Sequence, residues 1–158
     1  VRQCVAEYHD NITAMDYAMG DVLKMLDDRK LSENTVVFFF GDNGSGLIRC
    51  KRWPYDSGLR VPFMIRWPGK LQPGSVREDL VCFLDLAPTV LSLAGTEIPP
   101  HMQGRVMLGE KTQPAPKYLF AARDRMDETY DRIRSVRGSR YRYVRNFHPE
   151  LPYFQSLH

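Results

Sequence analysis

The chain has 158 residues, of which 43% are hydrophobic. This length fits about one domain, and the composition excludes disorder of the whole chain because it supplies enough apolar material for a core. The 22 Lys and Arg residues exceed the 19 Asp and Glu residues by a formal net charge of +3. Such a small surplus does not indicate nucleic-acid binding. The longest apolar run, Thr35–Phe40, is far shorter than the ~20 residues needed to cross a bilayer.

The start of the chain and its cysteines leave the cellular compartment open. Val1 is not a methionine, so we expect the chain to begin in mid-sequence, with any targeting signal upstream. The cysteines, Cys4, Cys50 and Cys82, are scattered, and none belongs to a C-x-x-C pair. This spacing does not predict a disulfide framework.

The first third of the chain has the pattern of an α/β protein. Apolar residues from Ala6 to Leu26 recur at spacings of three, four and seven, which predicts a helix packed on one side. Thr35–Phe40 is β-branched and aromatic without alternation, as in a strand covered on both faces of a parallel sheet. A long glycine- and charge-rich loop, residues 41–58, separates this strand from a second one at 61–67.

A second helix is predicted further along the chain. Asp85 is placed to cap a helix that begins at Leu86, with Pro88 in its first turn, and Gly95 is placed to end it. The order helix, strand, loop, strand, helix favours an α/β fold with a mixed, mostly parallel sheet flanked by helices.

The last forty or so residues have a different pattern. Residues 118–122 read as a strand, and residues 123–131 read as a charged loop. Residues 133–136 and 141–144, around Gly138-Ser139, predict a small antiparallel hairpin with arginines alternating on its outer face.

Oxygen ligands follow the first predicted strand. Asp42 and Asn43 offer a carboxylate and an amide oxygen, which suit calcium or magnesium better than zinc or copper, and Gly44 allows a tight turn. Ligands of open α/β sheets gather beyond the ends of strands, so a metal site is a reasonable interpretation. The same three residues also form an ordinary Asx turn, and local chemistry alone favours the turn.

A basic cluster follows in the same loop. Arg49, Lys51 and Arg52 place three cations within four residues. Lysine can hold a sulfate or phosphate oxygen as a point charge, and arginine can bind two oxygens, so the cluster could bind an oxyanion beside a cation. Taken alone, such a run is usually a solvated surface.

The combined pattern resembles the sulfatase family of the alkaline-phosphatase superfamily. In that family an Asp-Asn-Gly follows a core strand, a lysine stands four residues before the tyrosine of a glycine-rich turn, and a Val-Pro strand ends in Trp-Pro-Gly. Asp42, Asn43, Lys51 and Tyr55 stand at those positions, although Asp56-Ser57 replaces the commoner Glu-Gly. The helix pattern before the strand and the later Asp-x-x-Pro-Thr segment extend the similarity. The sequences of residues 49–58 and 121–128 are most similar to those of bacterial heparan N-sulfatase-like sulfatases.

The resemblance implies specific roles. Asp42 and Asn43 would bind calcium, or magnesium, and Lys51 would hold a sulfate oxygen as a catalytic and substrate-binding residue, with Arg49 and Arg52 beside it. The family's nucleophile is a formylglycine made from a Cys/Ser-x-Pro/Ala-x-Arg motif, and none of the cysteines fits this motif. We therefore expect the formylglycine, and the further calcium ligands, in an N-terminal half outside this chain.

Two more substrate-binding residues are predicted near the end of the later strand. Arg123 and Asp124 lie in a mixed-charge segment where an arginine could bind an acidic sugar, although a solvated ion-pair cluster is the ordinary explanation. The resemblance divides the chain into the distal half of a sulfatase α/β domain, residues 1–128, and the beginning of a small antiparallel subdomain, residues 129–158.

The sequence therefore predicts part of a sulfatase that hydrolyses sulfate esters or sulfamates of a sulfated glycan, for example a heparan-type glucosamine. The chain alone is expected to be inactive. One alternative is a phosphodiesterase or phosphonate hydrolase of the same superfamily. Another is a non-catalytic module that binds acidic glycans through its arginines. A periplasmic, secreted or lysosomal location follows only from the substrate class, and the partners expected are the glycan and the N-terminal half.

Overall fold

The computed structural model describes residues 2–126 and 129–151, which form three α-helices and five β-strands. In chain order these are α1 (Arg2–Asp28), β1 (Val37–Phe40), α2 (Asp56–Leu59), β2 (Phe63–Arg66), α3 (Leu86–Leu93), β3 (Leu119–Met126), β4 (Thr129–Arg137) and β5 (Arg142–Asn146). The chain divides into two compact units. One comprises Val1–Gly41 and Pro62–Ser75, and the other comprises Asp42–Val61 and Val76–His158.

Helix α1 confirms the helix predicted from the apolar spacing and extends it at both ends. Lys30 adopts a left-handed φ of 56° just after the helix, and the Leu31 amide bonds the Leu26 carbonyl at 2.8 Å, which closes the last turn. No residue of α1 is buried, and Ile12 and Met15 are 41% and 46% exposed. Neither α1 nor any other described helix is long and apolar enough to cross a membrane.

Strands β1 and β2 confirm the two predicted strands, but they pair antiparallel, with Val37 opposite Arg66 and Phe40 opposite Phe63. The parallel pairing predicted for this region is thus absent from the described residues, in which both sheets are antiparallel. A continuous apolar run does not report the direction of the neighbouring strand, and no residue of β1 is buried, so the predicted cover on both faces is not seen in the described residues. The intervening loop contains only the one-turn α2 instead of a crossover helix, so the chain returns beside β1 in the opposite direction.

Helix α3 contributes to the core of the second unit. It begins at Leu86 and is followed by Gly95 at a φ of 70°, as predicted. The helix buries Pro88 and Thr89 completely, next to the buried segment 106–108. The Asp85 side chain makes no capping bond to α3.

Strands β3, β4 and β5 form an antiparallel sheet in that order. Pairing of Val136 with Tyr143 confirms the predicted C-terminal hairpin. The predicted charged loop at 123–131 is wrong, because β3 continues to Met126 and β4 starts at Thr129. Charge suggested a solvated loop, but the Arg123 and Asp131 side chains pair with each other and are buried, so charged residues stand at strand positions.

The predicted domain boundary after residue 128 falls between two paired strands. Leu119 lies opposite Arg137 and Arg123 opposite Ile133, so the β3–β4 pairing spans this boundary. The division into 1–128 and 129–158 stays a prediction.

Candidate functional site

The loop that contains Asp42, Asn43 and Lys51 is closed by two glycines. The Gly44 amide donates to the Gly58 carbonyl at 3.0 Å. A Cβ at Gly44 would overlap the Ser57 carbonyl oxygen, and one at Gly58 would overlap two backbone carbonyl oxygens of the same loop. Only glycine permits backbones to approach this closely, so these positions fix the loop's shape.

Lys51 is at the turn of this closed loop. Its amide donates to the Ser45 carbonyl at 2.9 Å, and the next bond along the chain joins the Trp53 amide to the Cys50 carbonyl at 3.1 Å. The Lys51 side chain is exposed, and its ammonium has no hydrogen-bond or ion-pair partner among residues 2–126 and 129–151. The backbone of Lys51 is therefore held in place, and its ammonium is available to bind an anion.

Two neighbours of Lys51 have strained backbones. Arg49 has a φ of 63° and Arg52 a φ of 73°, in the left-handed region that residues other than glycine rarely adopt. Each such residue costs on the order of 1 kcal/mol or more and persists only where surrounding contacts impose it. Both side chains are exposed on the same loop as Lys51, so the structure keeps the predicted basic cluster together.

Asp42 and Asn43 have the donor chemistry of a site for a hard cation. The Asp42 side chain is exposed and has no hydrogen-bond or ion-pair partner in the described part of the chain. The Asn43 amide nitrogen donates to the Gly44 carbonyl at 3.0 Å, which leaves the amide oxygen as an acceptor. These two oxygens fit calcium or magnesium, but calcium takes about 6 to 8 oxygens. The described residues contain no cluster of three or more His, Cys, Asp and Glu side chains suited to a metal.

Arg123 does not face solvent. It is 7% exposed, and its guanidinium carbon stacks 3.7 Å from the centroid of the Trp53 ring. Its Nε lies 3.1 Å from the Asp131 carboxylate, and its Nη1 donates to the Arg52 carbonyl at 3.3 Å. The contacts described for Arg123 therefore connect β3 to the loop that carries Lys51.

Asp124 lies beside Arg123 but has a different environment. Its carboxylate pairs with Arg134 Nη1 at 2.6 Å, and its side chain is 60% exposed. The register between β3 and β4 shifts at this residue, so Asp124 lies at a bulge. No described contact of Asp124 brings it to Lys51 or Asp42.

A second arginine, which the sequence did not single out, also holds the loop. Arg142 of β5 donates to the Pro54 carbonyl at 2.7 Å and pairs with the Asp56 carboxylate at 2.7 Å. Burial lowers the pKa of Arg142, and the Asp56 charge acts against this effect. The predicted alternation of arginines in the hairpin is the one signal that could have pointed to this role.

Comparisons with known proteins give the family of the chain. The family model described as Sulfatase matches residues 2–96. An ulvan-active sulfatase of Formosa agariphila is 43% identical over 157 residues, which are 99% of this chain and 26% of that protein. An endo-4-O-sulfatase of Bacteroides thetaiotaomicron is 37% identical over 110 residues, covering 65% of this chain and 22% of that protein.

Solved structures have the same fold. BT4656, in complex with its substrate D-glucosamine-2-N,6-O-disulfate, superposes with a TM-score of 0.76 at 22% identity over 87% of this chain and 30% of its own. The yidJ protein of Bacteroides fragilis gives a TM-score of 0.72 at 27% identity over 84% of this chain and 30% of its own. The chain thus spans less than a third of the length of these relatives. Because the family model matches more than half of it, the chain belongs to the sulfatase family.

Proposed function

We propose that this chain forms part of the active site of a sulfatase that hydrolyses sulfate esters or sulfamates of a sulfated glycan. The observation that carries the proposal is the closed loop, in which the Gly44–Gly58 bond holds the oxygen ligands Asp42 and Asn43 and the unpaired cation of Lys51 on one short segment. Family membership supplies the reaction class.

Lys51 has the chemistry that sulfate transfer requires. Negative charge stays on the sulfuryl oxygens while the bond between sulfur and the leaving oxygen breaks. An ammonium that hydrogen-bonds one of these oxygens stabilises the negative charge of the transition state. The bond from the Lys51 amide to the Ser45 carbonyl holds the backbone from which this side chain extends.

Asp42 and Asn43 would hold calcium through their side-chain oxygens. When bound, the ion supplies Lewis-acid charge to the sulfuryl group. The carboxylate would contribute the charge that retains the cation, and the amide would add a neutral oxygen. The formylglycine nucleophile and the remaining ligands are proposed to lie in parts of the protein outside these residues.

The substrate proposal follows the names of the relatives. One acts on ulvan, one is an endo-4-O-sulfatase, and BT4656 takes a disulfated glucosamine. We therefore assign a sulfated polysaccharide or its fragments as substrate, with heparan-type glucosamine as one candidate. Arg49 and Arg52 have exposed side chains beside Lys51 and are proposed to bind further anionic groups. Arg123 and Asp124 lie further along the second unit.

The test is substitution in the full-length enzyme that contains this chain. Lys51→Ala and Asp42→Ala should each lower kcat/KM for a sulfated disaccharide by about 100-fold or more. Lys111→Ala, which removes an exposed lysine without a described ion pair, should leave it unchanged. Wild-type turnover in Lys51→Ala or Asp42→Ala would refute the assignment, and preserved glycan binding by Asp42→Ala without metal would favour the binding module.

A further inference from the structure

The segment between Lys51 and Asp56 is held by arginines of the C-terminal sheet. Arg123 reaches it from β3 and Arg142 from β5, and each donates to a main-chain carbonyl of the segment, that of Arg52 and that of Pro54 respectively. We call this pair, Arg123 and Arg142, the arginine clamp. Both residues lie about seventy or more positions away in the sequence from the segment they hold.

The clamp has the properties of a rigid support. The side chains of Arg123 and Arg142 are 5% and 14% exposed. Each guanidinium also has a carboxylate partner, Asp131 for Arg123 and Asp56 for Arg142. A planar guanidinium bound on several edges has little freedom, so the carbonyls that it binds are fixed as well.

The strained backbone of the loop needs such a support. Among the described residues other than glycine, Arg52 has the largest left-handed φ, and its own carbonyl is the one that Arg123 binds. The Trp53 ring, which is 4% exposed, lies against the same guanidinium at 3.7 Å. Thus one guanidinium holds the two residues directly after Lys51, Trp53 by stacking and Arg52 by a hydrogen bond.

We propose that Arg123 and Arg142 are positioning residues, which set the Lys51 ammonium for a sulfuryl oxygen by imposing the conformation of residues 52–56. This inference rests on the proposed function of Lys51. It assigns Arg123 a role through the loop instead of direct contact with a sugar. It also gives the C-terminal sheet a supporting role in catalysis, although this sheet is far along the sequence from Lys51.

The experiment uses the full-length enzyme and a chromogenic aryl sulfate. Arg123→Lys keeps a cation for Asp131 but removes the planar group that stacks on Trp53 and bonds Arg52 at the same time. We expect kcat/KM to fall by about 10-fold or more, mainly in kcat, because a small displacement of a catalytic group is costly. Arg142→Lys should act in the same direction.

The matched control is Arg105→Lys. The Arg105 side chain is 11% exposed, comparable to the 14% of Arg142, and it pairs with Asp79 and Asp85 and bonds the carbonyls of Leu80 and Gln113. None of these described partners lies in residues 42–61. Arg105→Lys should therefore lower the melting temperature as much as Arg123→Lys does, while kcat/KM stays within about twofold of wild type.

A double-mutant cycle separates positioning from a general loss of structure. In a Lys51→Ala background, Arg123→Lys should change kcat/KM by less than about twofold, because no ammonium remains to be displaced. The same fold-loss in both backgrounds, or an equal loss with Arg105→Lys, would overturn the positioning role. Wild-type turnover of Lys51→Ala alone would instead refute the function proposed for Lys51.

If Arg123→Lys does not fold, Asp56→Asn takes its place in the double-mutant cycle with Lys51→Ala. The Asp56 side chain is 52% exposed, so its replacement by an isosteric amide should preserve folding while weakening the hold of Arg142 on the loop. We expect Asp56→Asn to lower kcat, and we expect this effect to disappear in the Lys51→Ala background. An unchanged kcat in Asp56→Asn together with a normal kcat in Arg142→Lys would overturn the clamp.

Discussion

The loop of the candidate site contains glycines with very different surroundings. At Gly44 a side chain would overlap the backbone of Ser57, whereas at Gly46 a Cβ would meet nothing within 4 Å. The two positions are two residues apart in one loop, so they differ in local packing and not in their general setting. They therefore form a matched pair for testing how the loop is closed.

We expect Gly44→Ala to destabilise the protein by at least about 2 kcal/mol, since relief of the overlap requires movement of backbone and not of a flexible side chain. Gly46→Ala should change the free energy of unfolding by less than about 0.5 kcal/mol. Urea titration of both variants in the full-length protein measures the difference. Equal midpoints for the two would show that the Gly44–Gly58 approach does not limit stability.

Asp79 gives a prediction for the pH dependence of stability. Burial acts to raise the pKa of its carboxyl group, but hydrogen bonds from Arg77 at 2.7 and 2.8 Å and from Arg105 at 3.0 Å outweigh burial and lower this pKa. A carboxyl group with a lowered pKa in the folded state stabilises the protein above the pKa of the unfolded state, about 4. That stabilisation is lost as the pH falls through the folded-state value.

Asp79→Asn should therefore lower the melting temperature most near neutral pH. The difference from wild type should shrink as the pH falls below about 4, where the wild-type carboxylate takes up its proton. Glu110→Gln, which removes an exposed carboxylate without a described ion pair, should show no such convergence. Melting curves from pH 7 to 2.5 measure this, and a difference that is constant over the range would contradict the role of Asp79.

Helix α3 is joined to the neighbouring segment by one buried hydroxyl. Thr89 is 0% exposed, and its Oγ1 donates to the Asp85 carbonyl at 2.6 Å while accepting from the Met107 amide at 2.9 Å. The hydroxyl thus satisfies a buried amide that no regular secondary structure serves. This arrangement ties the packing of the helix to the buried segment 106–108.

Thr89→Val should cost about 1 to 3 kcal/mol, because valine fills the space but leaves the Met107 amide buried without an acceptor. Thr96→Val, at an exposed position after the same helix, should have little effect. Chemical denaturation of the two variants tests this. A Thr89→Val protein as stable as wild type would mean that another acceptor replaces the hydroxyl.

The molecule shows which parts of such a structure a sequence can predict. The helix containing Ile12 and Met15 follows from apolar spacing, and the loop after β1 follows from its glycines and charges, whereas the roles proposed for Asp42, Asn43 and Lys51 come from the family resemblance. The extension of β3 through Arg123 could not be predicted, since the burial of this charge depends on Arg52 and Trp53, which are distant in the chain. The same holds for the pairing direction of β1 and β2, which is a property of two segments together.

The composition of the proposed metal site leads to a prediction for the 158-residue chain on its own. Asp42 and Asn43 give two side-chain oxygens, and the described residues contain no further cluster of acidic side chains to add to them. Calcium surrounds itself with about 6 to 8 oxygens, so water would have to fill most positions and the ion would gain little over its hydrated state. We expect the chain alone to bind calcium with a Kd of about 1 mM or weaker and to hydrolyse no aryl sulfate.

Calorimetric titration of calcium into the isolated chain, beside Asp42→Ala and the full-length protein, makes the test. The full-length protein should bind calcium at least about 100-fold more tightly than the isolated chain. Asp42→Ala in the full-length protein should remove most of that difference. Micromolar binding by the chain alone would show that these 158 residues contain a complete site. Equal, weak binding by both forms would refute a calcium site that other segments complete, because such a site must gain affinity when those segments are present.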